Sequence, residues 1–206
     1  MFEIELKAHV ADRAAVIEAL NGLARYLGAV QKEDCYYGRQ GGRKCRIRKE
    51  TPFCAEGQPL PAEQADSKGG PGQARVYFTY KRKELRTDGS GAALEVNDEK
   101  ECLLSDAAAL EAFLADNGFT LVLSKSKTVL GWLYQDIHAE LCRVPPLGDF
   151  LELETFSADR SQEAVAKARK ALLALLEKTG IGQEQIEERY YSELLREAEK
   201  GENADV

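Results

Sequence analysis

The chain has 206 residues, 44% of them apolar and 31% charged, with a formal net charge of −7. That length fits one ordinary domain or two small ones with a packed core, and the acidic balance argues against a nucleic-acid binder, which needs a basic surface to neutralise phosphates. No apolar run reaches the roughly eighteen residues of a membrane span and no leader pattern opens the chain, so no membrane partner and a cytoplasmic location are expected.

Cys35, Cys45, Cys54, Cys102 and Cys142 are scattered without a short paired spacing. They read as reduced thiols rather than a disulfide framework or a zinc site.

The first ten residues alternate strictly. Phe2, Ile4, Leu6, Ala8 and Val10 are apolar or small, while Glu3, Glu5, Lys7 and His9 occupy the intervening positions. That period of two predicts a strand with one charged face. Asp12 then caps a predicted helix to about Leu27, with Gly28 as its stop. Strands follow at Lys32–Gly38 and Lys44–Lys49. The Pro- and Gly-rich stretch 51–73 reads as a mobile loop insertion. Arg75–Lys83 and Ala93–Leu103 form a predicted strand pair around Asp88-Gly89-Ser90-Gly91. Ser105 opens a second helix to Asp116. Leu121–Leu133, Tyr134–Cys142 and Phe150–Phe156 are further strands, with a Pro-Pro turn at Val144–Gly148. A long helix runs from Asp159 to Lys178, and a last helical segment holds Tyr190, Tyr191, Leu194 and Leu195. The whole reads as a single domain over 1–198 with an acidic tail at 199–206.

The polar faces of these strands are sorted by sign. Lys44, Arg46 and Arg48 share one face, as do Arg75, Lys81 and Lys83, and Lys125 and Lys127. Glu95, Glu99 and Glu101 share another, as do Glu152 and Glu154, while Asp136, His138 and Glu140 alternate with apolar residues. Solvated faces ordinarily mix signs to avoid self-repulsion. Same-sign strands fit a closed antiparallel barrel with an ionic lumen and an apolar outside covered by amphipathic helices. Lys and Arg suit a triphosphate's anionic oxygens, and carboxylates suit Mg²⁺ or Mn²⁺, which bridge protein and phosphate oxygens. No Gly-rich phosphate loop is present. The inward cations are expected to repel one another in the empty lumen, offset only in part by the carboxylates.

The ordered set Glu3-x-Glu5-x-Lys7, Arg46-Ile47-Arg48, Thr79-Tyr80-Lys81, Glu99-x-Glu101, Lys125-x-Lys127, Leu147-Gly148-Asp149-Phe150-Leu151-Glu152-Leu153-Glu154 and Arg189-Tyr190-Tyr191-Ser192-Glu193-Leu194-Leu195 resembles the CYTH, or triphosphate tunnel metalloenzyme, superfamily. The branch it looks most like is that of the class IV adenylate cyclases. The resemblance implies an α+β fold: an eight-stranded antiparallel β-barrel enclosing a triphosphate tunnel, with helices packed outside. It implies Glu3, Glu5, Glu152 and Glu154 as metal ligands for Mg²⁺ or Mn²⁺. Lys7, Arg46, Arg48, Lys81, Lys125 and Lys127 become triphosphate ligands, with Lys7, Arg48, Lys81 and Glu140 in catalytic roles. Glu99, Glu101 and His138 are secondary candidates. Glu140 stands where the family often has Asp, and Tyr190 where Ser usually precedes the tyrosine. Tyr190 and Tyr191 read as packing residues at the tunnel mouth.

Three functions fit these residues. The first is an adenylate cyclase converting ATP to cyclic AMP and pyrophosphate. The second is a triphosphatase acting on inorganic tripolyphosphate, thiamine triphosphate or a nucleotide. The third is a binding module that senses polyphosphate without turnover. The implied partner is a nucleoside triphosphate or inorganic polyphosphate, and a homodimer is left open.

Overall fold

A computed structural model describes residues 2–40, 44–55, 57–58, 73–87, 93–159 and 161–204, with the backbone alone for 81–87, 93–99 and 201–204. Eight antiparallel strands close into a barrel. They are β1 (Phe2–His9), β2 (Arg25–Gly38), β3 (Cys45–Phe53), β4 (Arg75–Thr87), β5 (Ala93–Leu104), β6 (Thr120–Tyr134), β7 (Ile137–Val144) and β8 (Gly148–Ser157). Their order around the wall is β1-β5-β4-β3-β2-β6-β7-β8, and β1 pairs with both β5 and β8 to shut the ring. Four helices accompany them: α1 (Arg13–Leu23), α2 (Ala108–Asp116), α3 (Gln162–Lys178) and α4 (Tyr191–Ala204).

The alternation on each strand does what a period of two requires. Ile4, Leu6 and Ala8 of β1 and Leu151 and Leu153 of β8 point outward and are buried beneath α1 and α3, whose Leu20, Leu172, Leu175 and Leu176 are fully covered. Each such leucine contributes about 1.5–3 kcal/mol by leaving water. Cys45 and Ile47 of β3 pack outward against Leu114 of α2. Caps fix where two helices start. Asp12 Oδ1 accepts from the Ala15 N–H at 3.1 Å, and Ser161 Oγ accepts from the Ala164 N–H at 3.2 Å.

Several expected boundaries move. α1 ends at Leu23 rather than Leu27, and Gly28 is no helix stop. It lies inside β2 at φ 122, where the register with β6 shifts between Tyr26 and Gly28. The spacing of Leu20, Leu23 and Leu27 is compatible with a helix, but Arg25–Gly38 is captured by two partner strands. β3 runs through Thr51–Phe53, so the expected loop starts later; the rest of that expectation, at 56 and 59–72, lies outside the described residues. β7 starts at Ile137, after a turn at Gln135–Asp136 in which Gln135 takes φ 56. The acidic tail expected from 199 is helical in α4 as far as Ala204. Among the described residues no helix is long and apolar enough to cross a membrane.

Candidate functional site in the barrel lumen

The inward faces enclose a cavity of about 940 Å³. Of the expected metal ligands, Glu3 and Glu5 reach it from β1, and Glu152 and Glu154 from β8. Of the expected triphosphate ligands, Lys7 lines it from β1, Arg46 and Arg48 from β3, and Lys125 and Lys127 from β6. Glu140 of β7 and Glu101 of β5 also face it. His138 does not line it; its ring packs edge-on against Phe156, centroids 6.4 Å apart. The side chains of Lys81 and Glu99 lie outside the described residues, although their backbones are register partners across β4 and β5.

The lumen cations are offset by carboxylates at close range, while Arg48 still opposes the charge on Lys127. Strands of opposite sign are neighbours, so their charges meet directly. Lys127 Nζ donates to Glu152 Oε2 at 2.6 Å and lies 3.5 Å from Glu140 Oε2; Lys32 Nζ donates to Glu140 Oε1 at 2.6 Å. Arg46 Nη2 donates to Thr79 Oγ1 at 3.1 Å, and that hydroxyl donates to Glu101 Oε2 at 2.9 Å. Burial alone would raise the Glu140 carboxyl, but the charges of Lys32 and Lys127 outweigh it and hold the group down at about 2. Burial also opposes ionisation of Glu152, and Lys127 and Lys125 reverse that in the same way.

Glu140 stands directly opposite Glu152 and Glu5 directly opposite Glu154, two carboxylate pairs along β8, and on its other side Glu5 is the register partner of Glu95. Like charges in that arrangement repel. The first pair is neutralised by Lys32 and Lys127. At the second, burial and the charges of Glu140 and Glu5 push Glu154 up to about 7. A divalent cation would relieve that repulsion, and Glu3, Glu5 and Glu154 offer the oxygen donors that Mg²⁺ or Mn²⁺ prefers, although their carboxylates do not converge within 4.8 Å of one another. Among the described residues it is Glu140, Cys142 and Glu152 that bring donor atoms within 4.8 Å of one another. There the thiol is soft, burial holds it protonated, and Lys127 Nζ already sits 3.2 Å from its sulfur.

Residues of β2 escaped the sequence reading. Asp34, 1% exposed, accepts from Arg48 Nε at 2.6 Å and Nη2 at 3.0 Å and lies 3.3 Å from Lys125 Nζ. Burial disfavours its charge, but Arg48, then Lys125 and Arg46, hold it well below the usual carboxylate range. Lys32 and Tyr36 share its face, and Glu50 of β3 lies 3.5 Å from Lys32. The signal available was parity: Lys32, Asp34 and Tyr36 alternate like the other inward sets, but mix signs and an aromatic.

One end of the lumen is filled from outside the sheet. Leu194 of α4 packs with Val129, Cys142, Val144 and Phe150. Tyr191 goes deeper than a mouth-packing residue, donating to Glu152 Oε1 at 2.6 Å. Its ring centroid lies 4.5 Å from Lys7 Nζ and 4.6 Å from Lys125 Nζ. The segment before α4 is clasped to β1: the Glu187 N–H donates to the Lys7 carbonyl at 2.8 Å, and Lys7 Nζ donates to the Arg189 carbonyl.

Comparison with solved structures returns the same architecture. The PH1819 protein from Pyrococcus horikoshii OT3 superposes at TM-score 0.72 with 23% identity, over 95% of this chain and 99% of its own. An adenylate cyclase candidate from Vibrio parahaemolyticus gives 0.69 with 18% identity, over 95% and 98%. HpAC1 from Hippeastrum, an adenylyl cyclase candidate described with a dominant triphosphatase activity, gives 0.59 with 12% identity, over 96% and 95%. No curated protein matches the sequence. At these identities the superpositions speak for the fold. The family profile of the CYTH domain matches residues 1–191, and the chain therefore belongs to the CYTH domain family.

Proposed function

We propose that the chain is a divalent-metal-dependent enzyme that processes a triphosphate inside the barrel, acting as an adenylate cyclase on ATP. The observation that carries this reading is the convergence of Lys7, Arg46, Arg48, Lys125 and Lys127 with Glu3, Glu5, Glu152 and Glu154 on one cavity. The cations bind phosphate oxygens, with Arg46 and Arg48 offering forked contacts. Family resemblance adds Lys81 to that set. Glu3, Glu5 and Glu154, with Glu152, would hold Mg²⁺ or Mn²⁺, which when bound supplies positive charge to the phosphate oxygens.

Catalysis on this reading is positioning plus electrostatics. Lys7 and Arg48 neutralise charge that builds on the transferring oxygens, and Glu140, kept ionised, holds Lys32 and Lys127 in place. In the cyclase reaction the ribose 3′-oxygen attacks the α-phosphorus, loses its proton, and pyrophosphate leaves. Tyr77, Leu123 and Phe156 on the cavity wall provide apolar surface for the nucleoside, which bare tripolyphosphate would not need.

A triphosphatase is the second reading, in which water attacks a terminal phosphorus. It is favoured by the activity described for HpAC1, which shares the fold. A non-catalytic polyphosphate sensor is the third, and the set of four candidate metal carboxylates argues against it. Incubation with ATP or tripolyphosphate and Mg²⁺ or Mn²⁺, followed by product analysis, separates them. Cyclic AMP with pyrophosphate is expected; orthophosphate would replace the cyclase by the triphosphatase. Tight binding without turnover would leave only the sensor.

A further inference from the structure

Tyr36 lies on the inward face of β2, between Arg46 of β3 and Leu123 of β6, its register partners on either side. The charged groups acting on its phenol are Lys125, Asp34, Arg46 and Arg48. A buried or half-buried tyrosine hydroxyl ordinarily finds a partner, yet among the described residues this one makes no hydrogen bond. The reason lies in its surroundings. Guanidinium and ammonium groups only donate, so the hydroxyl oxygen can accept from them, but its own proton has no acceptor among the described residues. The one carboxylate among these described groups, Asp34, already has both oxygens engaged by Arg48 and Lys125.

We propose that Tyr36 is a further substrate-contacting residue, whose hydroxyl donates to an oxygen of the triphosphate held among Arg46, Arg48 and Lys125. The inference rests on the triphosphate reading above. An anionic phosphate oxygen is the acceptor this donor-only pocket lacks, and it accepts from the phenol while the cations balance its charge. The electrostatics agree. Burial would raise the phenol pKa, but Lys125 and the two arginines outweigh it and lower it. A more acidic phenol gives a stronger hydrogen bond to an anion.

Tyr36→Phe removes only the hydroxyl. Hydrogen bonds to charged groups contribute about 1.5–3 kcal/mol, so kcat/KM for the triphosphate substrate falls roughly 10- to 100-fold. The melting temperature without ligand stays at the wild-type value, and the rise produced by tripolyphosphate with Mg²⁺ shrinks. Arg48→Ala is run alongside. If Arg48→Ala loses turnover and thermal response while Tyr36→Phe keeps both, the Tyr36 inference fails and the lumen reading stands. If neither variant loses either property, the lumen reading fails and takes this inference with it. A Tyr36→Phe protein that melts lower but keeps the wild-type ligand response shows a structural hydroxyl and also overturns the proposal. Should Tyr36→Phe not fold, tyrosine ¹³Cζ NMR of the wild-type chain decides. The Tyr36 resonance must move on addition of tripolyphosphate, and a stationary resonance refutes the contact.

Discussion

Asp34 is the buried charge on which two expected phosphate ligands lean, and replacing it by Asn tests whether the lumen is held together by its own ion pairs. The amide keeps the volume of the carboxylate, removes its charge, and presents an NH₂ group to donors. Arg48 loses its paired contacts at 2.6 and 3.0 Å and Lys125 its contact at 3.3 Å. Removing one partner of a buried ion pair costs about 3–5 kcal/mol. Glu50 lies 3.8 Å from Arg48 Nη1 and retains some compensation, which places the expected loss near the lower figure, about 3 kcal/mol. At this chain length each kcal/mol moves the melting temperature by about 2–4 °C, so a fall of roughly 6–12 °C is expected at pH 7.5, matched by an earlier urea midpoint.

The pH dependence has a definite sign. The folded Asp34 carboxyl lies below its unfolded value, so its contribution is complete above about pH 4, the unfolded value. It is lost as pH falls toward the folded pKa. The gap between wild type and Asp34→Asn therefore narrows below pH 4. Equal urea midpoints at pH 7.5, or a gap that stays constant from pH 6 to pH 3, would refute this account of the lumen.

Three further outcomes follow from the same charges. Glu154, raised to about 7, takes up a proton on folding between about pH 4.5 and 7, so metal-free wild type loses stability as pH rises through that window; Glu154→Gln should melt higher than wild type at pH 8 without metal, and Mg²⁺ should stabilise only the wild type in a thermal-shift assay. Glu5→Gln should fold and yet lose metal-dependent turnover, measured by product release over a Mg²⁺ titration; wild-type turnover at low metal would show the ligand assignment to be wrong. Tripolyphosphate should raise the melting temperature by mass action on the native state, and Arg48→Ala and Lys127→Ala should lose far more of that rise than Lys167→Ala on the exposed face of α3; equal losses in all three would place the binding site elsewhere.

The strands were readable wherever one face is apolar and the other charged with a single sign. β3 and β8 are of this kind, and β1 departs from it only in following Glu3 and Glu5 with Lys7; Glu3, Glu5, Lys7, Lys44, Arg46, Arg48, Glu152 and Glu154 all reach the cavity as parity required, and from β4 Tyr77 and Thr79 do. β2 hid its role because Lys32, Asp34 and Tyr36 are three different chemistries, and a search for like-charged strands passes over them. The close pairing of the cations was hidden for a related reason. Parity tells which side chains face inward but not which strands are neighbours. Only the strand order, with β6 beside β2 and β7, shows that Lys32, Lys125 and Lys127 each meet a carboxylate. Tyr191 was out of reach for the same cause, since the path of α4 back into the barrel is set by tertiary packing of Leu194 on Phe150 rather than by a local pattern.

The ring is closed by its two most distant strands. β1 and β8 pair from Phe2 with Ser157 to His9 with Phe150, across 157 − 2 = 155 down to 150 − 9 = 141 positions of chain. Contacts of such separation form late and slowly, because a long loop must be ordered before they return any stabilisation. Glu3 and Glu5 sit on the first of these strands, Glu152 and Glu154 on the last. A chain still emerging from the ribosome at β6 already carries the basic strands but lacks Glu140, Glu152 and Glu154. Closure of the barrel and assembly of the proposed metal site are therefore one folding event, and a partly synthesised chain lacks that site.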